Sequence, residues 1–156
     1  MRTKPVSALF LTLLLTGFSA TLLASGFPEN CAGTYLNQEG SGAKSLWTFG
    51  KDGSFLGTSS TQRTFNFSSQ QGVWENDGSG DAKAVFLDFS FDAGGALLNI
   101  GRVDIVLHTV GHGCANIAGS FSLRFFEAGE DPLNPSSDTG TPITDTFTGR
   151  RLTVTH

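Results

Sequence analysis

The stretch from residue 82 to residue 109 places the strongest constraint on the fold of this chain. Within residues 82–92 and 97–109, apolar side chains recur at every second position over much of each segment. This is the period-two pattern of a half-buried β-strand. Between them, residues 93–95 supply glycines that tolerate positive φ, as tight hairpin turns require. We therefore predict two long antiparallel strands. Because such a pair cannot bury its apolar face alone, further strands must close over it.

In each of these two strands, we assign one set of alternate residues to the face that packs in the core. In the first strand, that set comprises Val85, Leu87, Phe89 and Phe91, and Phe86 departs from it. In the second strand, it comprises Val103, Ile105 and Leu107, opposite the polar side chains of Arg102, Asp104 and His108.

Residues 1–25 have the pattern of a secretory signal peptide. Arg2 and Lys4 precede an uncharged, leucine-rich run that ends in small residues, as in exported precursors. A retained membrane anchor is the alternative, which the polar residues within the run disfavour. The sequence predicts a secreted or periplasmic protein with a single domain over residues 26–156.

The charge of the predicted mature chain limits its partners. Without residues 1–25 the chain has 8 basic and 14 acidic side chains, a net charge of −6. An acidic surface repels phosphate backbones and anionic lipid heads. We therefore expect no nucleic-acid partner, no membrane-surface partner and no stable membrane anchor after cleavage, and the sequence leaves the oligomeric state open.

Cys31 and Cys114 are the only two cysteines. In an oxidising compartment, an isolated pair most often forms a disulfide, which here would join the first strand to the corner after the sixth. The alternatives are a reactive thiol or a metal ligand. His108 and His112 lie near Cys114, but no further Cys or His motif completes a ligand set. We predict a disulfide and no metal site, and no motif for a cofactor is present.

Six further short segments with strand-like composition flank the central hairpin, separated by turns rich in glycine, asparagine and aspartate. They are residues 31–36, 43–50, 54–62, 71–75, 117–127 and 146–155. No segment after the leader shows apolar residues at helical spacing. We predict an all-β fold, an eight-stranded antiparallel up-and-down β-barrel, because nearly every connection is short and local. A two-sheet β-sandwich is the structural alternative.

The spacing of strands and turn glycines resembles that of the calycin-type barrels, which include lipocalins, fatty-acid-binding proteins and avidins. It is also similar to that of the allene-oxide-cyclase-like barrels. Residues 71–75 are the most recognisable local piece, and residues 33–35 read Gly-Thr-Tyr where lipocalins carry Gly-x-Trp. The resemblance implies a small secreted barrel that holds a hydrophobic ligand between its strands.

A more local likeness connects residues 33–41 and 52–58 to the first strands of the avidins. That resemblance implies that Asn37 and Ser41 would occupy positions that hydrogen-bond the ureido oxygen of biotin. Ser59 stands where that family carries a ligand-contacting tyrosine.

The leading functional hypothesis is a non-catalytic barrel that binds a small apolar molecule. The predicted binding residues are interior aromatic side chains and one arginine: Tyr35, Trp47, Trp74, Phe89, Arg102 and Phe121. The alternative for the aromatic residues is a packed core.

Two other functions remain open. A small-barrel isomerase or cyclase acting on an apolar substrate would use Asp104, His108 or Arg124 as acid, base or anion clamp. These three would line a cavity only if the polar faces of residues 97–109 and 117–127 pointed inward, since a one-residue slip exchanges the faces. The third hypothesis is a filled barrel that serves as a structural or protein-interaction module.

Overall fold

The computed structural model describes residues 27, 29–78, 80–127, 129–138 and 140–154, and the predicted signal peptide lies outside them. Eight strands form the fold: β1 (Gly33–Glu39), β2 (Lys44–Phe49), β3 (Ser54–Ser59), β4 (Gln70–Asn76), β5 (Ala82–Phe91), β6 (Leu97–Thr109), β7 (Asn116–Phe126) and β8 (Ile143–Arg151). One-turn 3-10 helices occupy Glu29–Cys31 and Pro135–Ser137. No helix among these residues is long and apolar enough to span a membrane.

Every strand pairs antiparallel with the next one along the chain, and β8 pairs back onto β1. The sheet therefore closes into a barrel without a free edge. The predicted all-β class and the eight-stranded up-and-down barrel are confirmed, and the sandwich alternative is wrong. The hairpin turns fit the prediction as well, since Gly53 and Gly95 adopt φ values of 82° and 84°, which favour glycine.

One end of the barrel is closed by five buried aromatic side chains, which we call the aromatic plug: Phe27, Tyr35, Phe49, Phe55 and Trp74. Phe27 precedes β1 and packs edge-on against Trp74, with ring centroids 5.5 Å apart. Phe49 contacts both of these rings. Edge-to-face packing of this kind stabilises aromatic clusters beyond the burial of area. The closed end therefore has a filled, solid core.

A disulfide between Cys31 and Cys114 fastens the plug, as predicted. It joins the segment before β1 to the corner between β6 and β7. The Tyr35 hydroxyl lies 2.8 Å from the carbonyl oxygen of Cys31 and 3.1 Å from that of Cys114, and donates to this pair. Arg151 Nη2 donates to the Ala32 carbonyl oxygen over 2.6 Å. The buried disulfide is consistent with an extracellular or periplasmic location.

The inward face of β5 differs from the prediction. The buried residues of this strand are Ala82, Ala84, Phe86, Asp88 and Ser90. Phe89 is 47% exposed, so the assignment of its parity to the core is wrong. Ala82 and Ala84 pack in the hydrophobic core of the closed end, where small side chains leave room for the plug. Larger apolar residues occupy the outer face, which is common because protein surfaces retain much apolar area.

The inward face of β6 agrees with the prediction. Val103, Ile105 and Leu107 are buried in the core, and the alternate side chains point outward. The central hairpin therefore has the predicted pairing, and only the face of its first strand is exchanged.

We expect the double variant Cys31→Ser, Cys114→Ser to lose about 2–4 kcal/mol in its free energy of unfolding, because a cross-link over a long loop restricts the unfolded chain. The two cysteines are 83 residues apart. Urea denaturation followed by tryptophan fluorescence measures the loss, and the wild-type protein in reducing agent provides a matched control. A loss below about 1 kcal/mol would show that loop closure is not a major source of stability here.

Candidate functional site

The end of the barrel opposite the plug holds a cavity of about 660 Å³. Trp47 and Phe86 belong to both the core and the cavity wall, so they form the boundary between the filled and the open half. Phe86 stacks on Phe55 of the plug with ring centroids 5.1 Å apart. The aromatic lining consists of Trp47, Phe65, Phe67, Phe86, Phe121 and Phe125. A cavity of this volume suits a small organic molecule.

The loop of residues 60–69 borders the cavity mouth and contributes Phe65 and Phe67 to its wall. Phe67 forms a bridge with Ser90 of β5. Asn66 adopts a φ of 51°, which asparagine tolerates better than most residues, and its Nδ2 donates to the Phe91 carbonyl oxygen over 3.0 Å. These contacts hold the loop against the end of β5.

Four polar side chains form what we call the polar strip of the cavity: Gln70, Asp88, Ser90 and Asn99. They come from three adjacent strands, β4, β5 and β6. The register that pairs Gln71 with Leu87 places Gln70 opposite Asp88, and Ser90 pairs with Asn99. The polar groups of this wall therefore converge because of strand pairing.

Two glycines on neighbouring strands make room for the polar strip. A Cβ at Gly101 would lie 2.5 Å from Asp88 Oδ1, and a Cβ at Gly57 would overlap Gln70 Oε1. Gly101 pairs directly with Asp88, and Gly57 pairs with Gln70. The absence of a side chain at these positions lets the two polar groups lie flat against the wall.

Asp88 has the most perturbed carboxyl group of the site. Burial raises its pKa from the ordinary value of 3.8 to about 6, and a hydrogen bond from the Gln70 side chain acts in the opposite direction. Burial disfavours the charged form of a carboxyl group. Asp88 is therefore mostly ionised at neutral pH and gains a proton in mildly acidic solution.

Glu39 and Asp145 add two carboxyl groups on the other side of the cavity, on β1 and β8. Asp145 Oδ2 accepts a hydrogen bond from the Ser41 amide over 2.8 Å, and such backbone donors lower its pKa. Burial raises the pKa of Glu39, a hydrogen bond with Ser45 opposes this, and the nearby Asp145 charge adds to it. No Lys, Arg or His side chain is found among the described residues that line the cavity.

Three buried polar atoms of cavity-lining residues have no hydrogen-bond partner within the protein: Gln70 Oε1, Asn99 Oδ1 and Trp47 Nε1. An unpaired buried polar group costs about 1–3 kcal/mol. A bound molecule that offers complementary groups would recover this cost. The wall can therefore orient a ligand as well as enclose it.

The structure divides the six predicted binding residues into three groups. Trp47 and Phe121 line the cavity. Tyr35 and Trp74 belong to the plug at the closed end, where Trp74 Nε1 donates to the Gly50 carbonyl oxygen over 2.7 Å. Phe89 and Arg102 lie on the outer face of the barrel, because their neighbours Asp88 and Val103 point inward and successive side chains of a strand face opposite sides. These four lie outside the cavity.

The three predicted acid–base candidates also lie outside the cavity. Arg102 forms an ion pair with Asp104, with Nη2 2.7 Å from Oδ1, and its Nη1 donates to the Pro132 carbonyl oxygen. Arg124 pairs with Asp138 over 3.3 Å. These contacts fasten the segment of residues 129–138 to the outer face of the barrel. His108 is exposed on the same face, as the outward register of β6 requires.

The two positions implied by the likeness to avidins are separated in the structure. Ser41 borders the cavity, whereas Asn37 is 1% exposed and does not belong to the lining. Asn37 Nδ2 lies 3.4 Å from Ser45 Oγ. The pair therefore does not form one binding subsite.

Sequence reasoning missed the polar strip. The signal that could have found it is the row of Ala82, Ala84 and Phe86, which shares its parity with Asp88 and Ser90. Placing Phe86 inside the barrel would have placed the carboxyl group of Asp88 inside as well. Gln70 and Asn99 could not have been joined to it without the register of three strands.

Comparison with known proteins found no match, since no protein-family model, no curated protein and no solved structure matches the chain. Within the described part of the chain, no group of three or more His, Cys, Asp and Glu residues could hold a metal ion.

We expect the variant Asp88→Asn to be more stable than the wild type at pH 8, by about 2 kcal/mol once screening by solvent in the cavity is allowed for. Because the pKa of Asp88 is raised in the folded state, protonation of this carboxyl group stabilises the fold. That stabilisation is complete below about pH 4 and is lost as the pH rises through about 6. The stability difference between the two proteins should therefore shrink to zero near pH 4. Urea denaturation at several pH values measures it, and equal stabilities at pH 8 would contradict the burial of this charge.

Proposed function

We propose that this protein is a secreted or periplasmic, calycin-like carrier that binds a small, mostly apolar molecule in the cavity at the open end of its barrel. The observation that supports the proposal is the contrast between the two ends. The buried side chains of the plug occupy one end, whereas the other end retains a cavity of about 660 Å³ whose lining includes six aromatic side chains. An open cavity of this size with a mostly apolar lining is typical of small-molecule sites.

Burial of apolar surface would provide most of the affinity. A ligand that buries about 200 Å² of apolar area gains about 5 kcal/mol before the cost of immobilisation is subtracted. The polar strip would fix the orientation of the ligand, because its unpaired atoms lie on one wall only. This division between an apolar body and a few polar contacts is typical of small-molecule sites.

An enzymatic function is the second candidate, and Asp88 favours it. A carboxyl group with a pKa of about 6 in an apolar cavity can act as a general base near neutral pH, as an isomerase or cyclase requires. The two functions differ in what is recovered after binding. A carrier returns its ligand unchanged, whereas an enzyme returns an isomer, and Asp88→Asn would abolish that conversion.

We expect the variant Leu123→Trp to reduce binding of a neutral hydrophobic fluorophore, N-phenyl-1-naphthylamine, at least about tenfold, because the larger ring fills part of the cavity. Leu123 lines the cavity. The matched control Leu56→Trp makes the same change on the outer face, where Leu56 is 54% exposed, and should leave binding unchanged. Fluorescence titration gives both affinities. Equal affinities for the two variants, or no binding by the wild type, would refute the proposed site.

A further inference from the structure

Three carboxyl groups face the cavity, and the described part of its lining contains no basic side chain. In the ring of eight strands, β1 lies four strands from β5, so Glu39 and Asp88 occupy opposite walls. Asp145 is next to Glu39 on β8. None of these three belongs to an ion pair among the described residues, where the pairs join Lys83, Arg102 and Arg124 to other acids. The cavity therefore has an unbalanced negative potential on both sides.

Gln70 provides a second, independent indication of the ligand's chemistry. Its side chain is 7% exposed, and its Oε1 atom has no partner. Gln70 lies opposite Asp88 in the register set by the Gln71–Leu87 pair, and its side chain lowers the pKa of that carboxyl group as a hydrogen-bond donor, a role that only its amide nitrogen can fill. The amide oxygen lies over Gly57 of β3, where a Cβ would overlap it, and it has no hydrogen-bond partner within the protein.

We propose that the cavity binds an organic cation, a primary amine on an apolar or aromatic body, with its ammonium group held by Asp88 and Gln70 Oε1. This inference rests on the proposed function and names the ligand class for the same cavity. An ammonium group has three donors and no acceptor, so it matches a carboxylate with a neighbouring carbonyl oxygen. Asn99 Oδ1, also unpaired, offers a third acceptor on the same strip.

The aromatic lining is compatible with the same ligand. The faces of Trp and Phe rings attract cations as well as apolar groups, and six such rings line the cavity. An anionic ligand would instead meet three carboxyl groups without a compensating charge. A fatty acid is therefore the wrong class of ligand for this barrel.

The main alternative is a neutral alcohol, which Trp47 favours. Its Nε1 atom is a buried donor without a partner, and a hydroxyl group could accept from it while donating to Gln70 Oε1. The unbalanced charge decides between the two ligands, because a hydroxyl group would leave the carboxylate of Asp88 uncompensated. The experiment separates these ligands directly.

The test measures displacement of N-phenyl-1-naphthylamine by three molecules that share one body: 3-phenylpropylamine, 3-phenylpropan-1-ol and 3-phenylpropanoate. At pH 7.5 we expect the amine to bind at least about tenfold more tightly than the alcohol, and the carboxylate most weakly. Asp88→Asn should remove the preference for the amine and leave the affinity for the alcohol within about threefold. The control Glu75→Gln removes an exposed carboxylate from the outer face of β4 and should preserve the preference.

The pH dependence of the wild type provides a test that needs no variant. Affinity for the amine should fall between pH 7.5 and pH 5, as Asp88 gains a proton, while affinity for the alcohol stays constant. Glu39 on β1 and Asp145 on β8 are the other titratable groups of the described lining. Asp88→Asn should flatten the part of the profile near pH 6, and a profile that it leaves unchanged would overturn the role of Asp88.

The remaining outcomes each have one meaning. Two outcomes would overturn the organic amine as the ligand and leave the carrier proposal standing. They are equal displacement of the fluorophore by the amine and the alcohol, and displacement of the bound amine by equimolar Ca²⁺. A preference for the amine that persists in Asp88→Asn would overturn the assignment to Asp88. Failure of the wild type to bind the fluorophore at all would overturn the carrier proposal, and the inference with it.

Discussion

The packing of Phe27 against Trp74 and Phe49 is the interaction on which the rest of the structure depends. An eight-stranded cylinder leaves an interior that side chains can fill or a ligand can share, and here the plug determines which half is filled. Because Phe86 stacks on the plug and also faces the cavity, the plug supports the cavity floor. The disulfide and the Tyr35 hydroxyl hold this arrangement at the end where the segment before β1 meets the β6–β7 corner.

The open half combines two features that oppose each other energetically. Aromatic walls lower the local polarity, and this raises the free energy of every charge placed among them. The carboxyl group of Asp88 is nevertheless kept there, supported by Gln70 and admitted by Gly101. A protein selected for stability alone would replace such a group, and the proposed ligand would account for its presence.

The sequence predicted the fold better than the site, and the reason lies in which patterns are local. Turn glycines and alternation identified all eight strands, and the apolar row of Val103, Ile105 and Leu107 identified the inward face of β6. In β5 both parities contain apolar residues, so hydrophobicity alone selected Phe89 over Phe86. Two of the predicted binding residues, Trp47 and Phe121, line the cavity, as expected of large aromatic residues that favour the interior. The polar strip depends on the register of three strands, which no local pattern contains.

The two wall glycines, Gly57 and Gly101, have a consequence for the evolution of this barrel. Each can gain a side chain only if the polar group beside it, Gln70 or Asp88, becomes smaller or moves away. Substitutions at these paired positions are therefore coupled, and descendants that change one member of a pair should change the other. Covariation between facing positions of neighbouring strands would then preserve a record of how the cavity wall is filled, even where the strand sequences themselves have diverged.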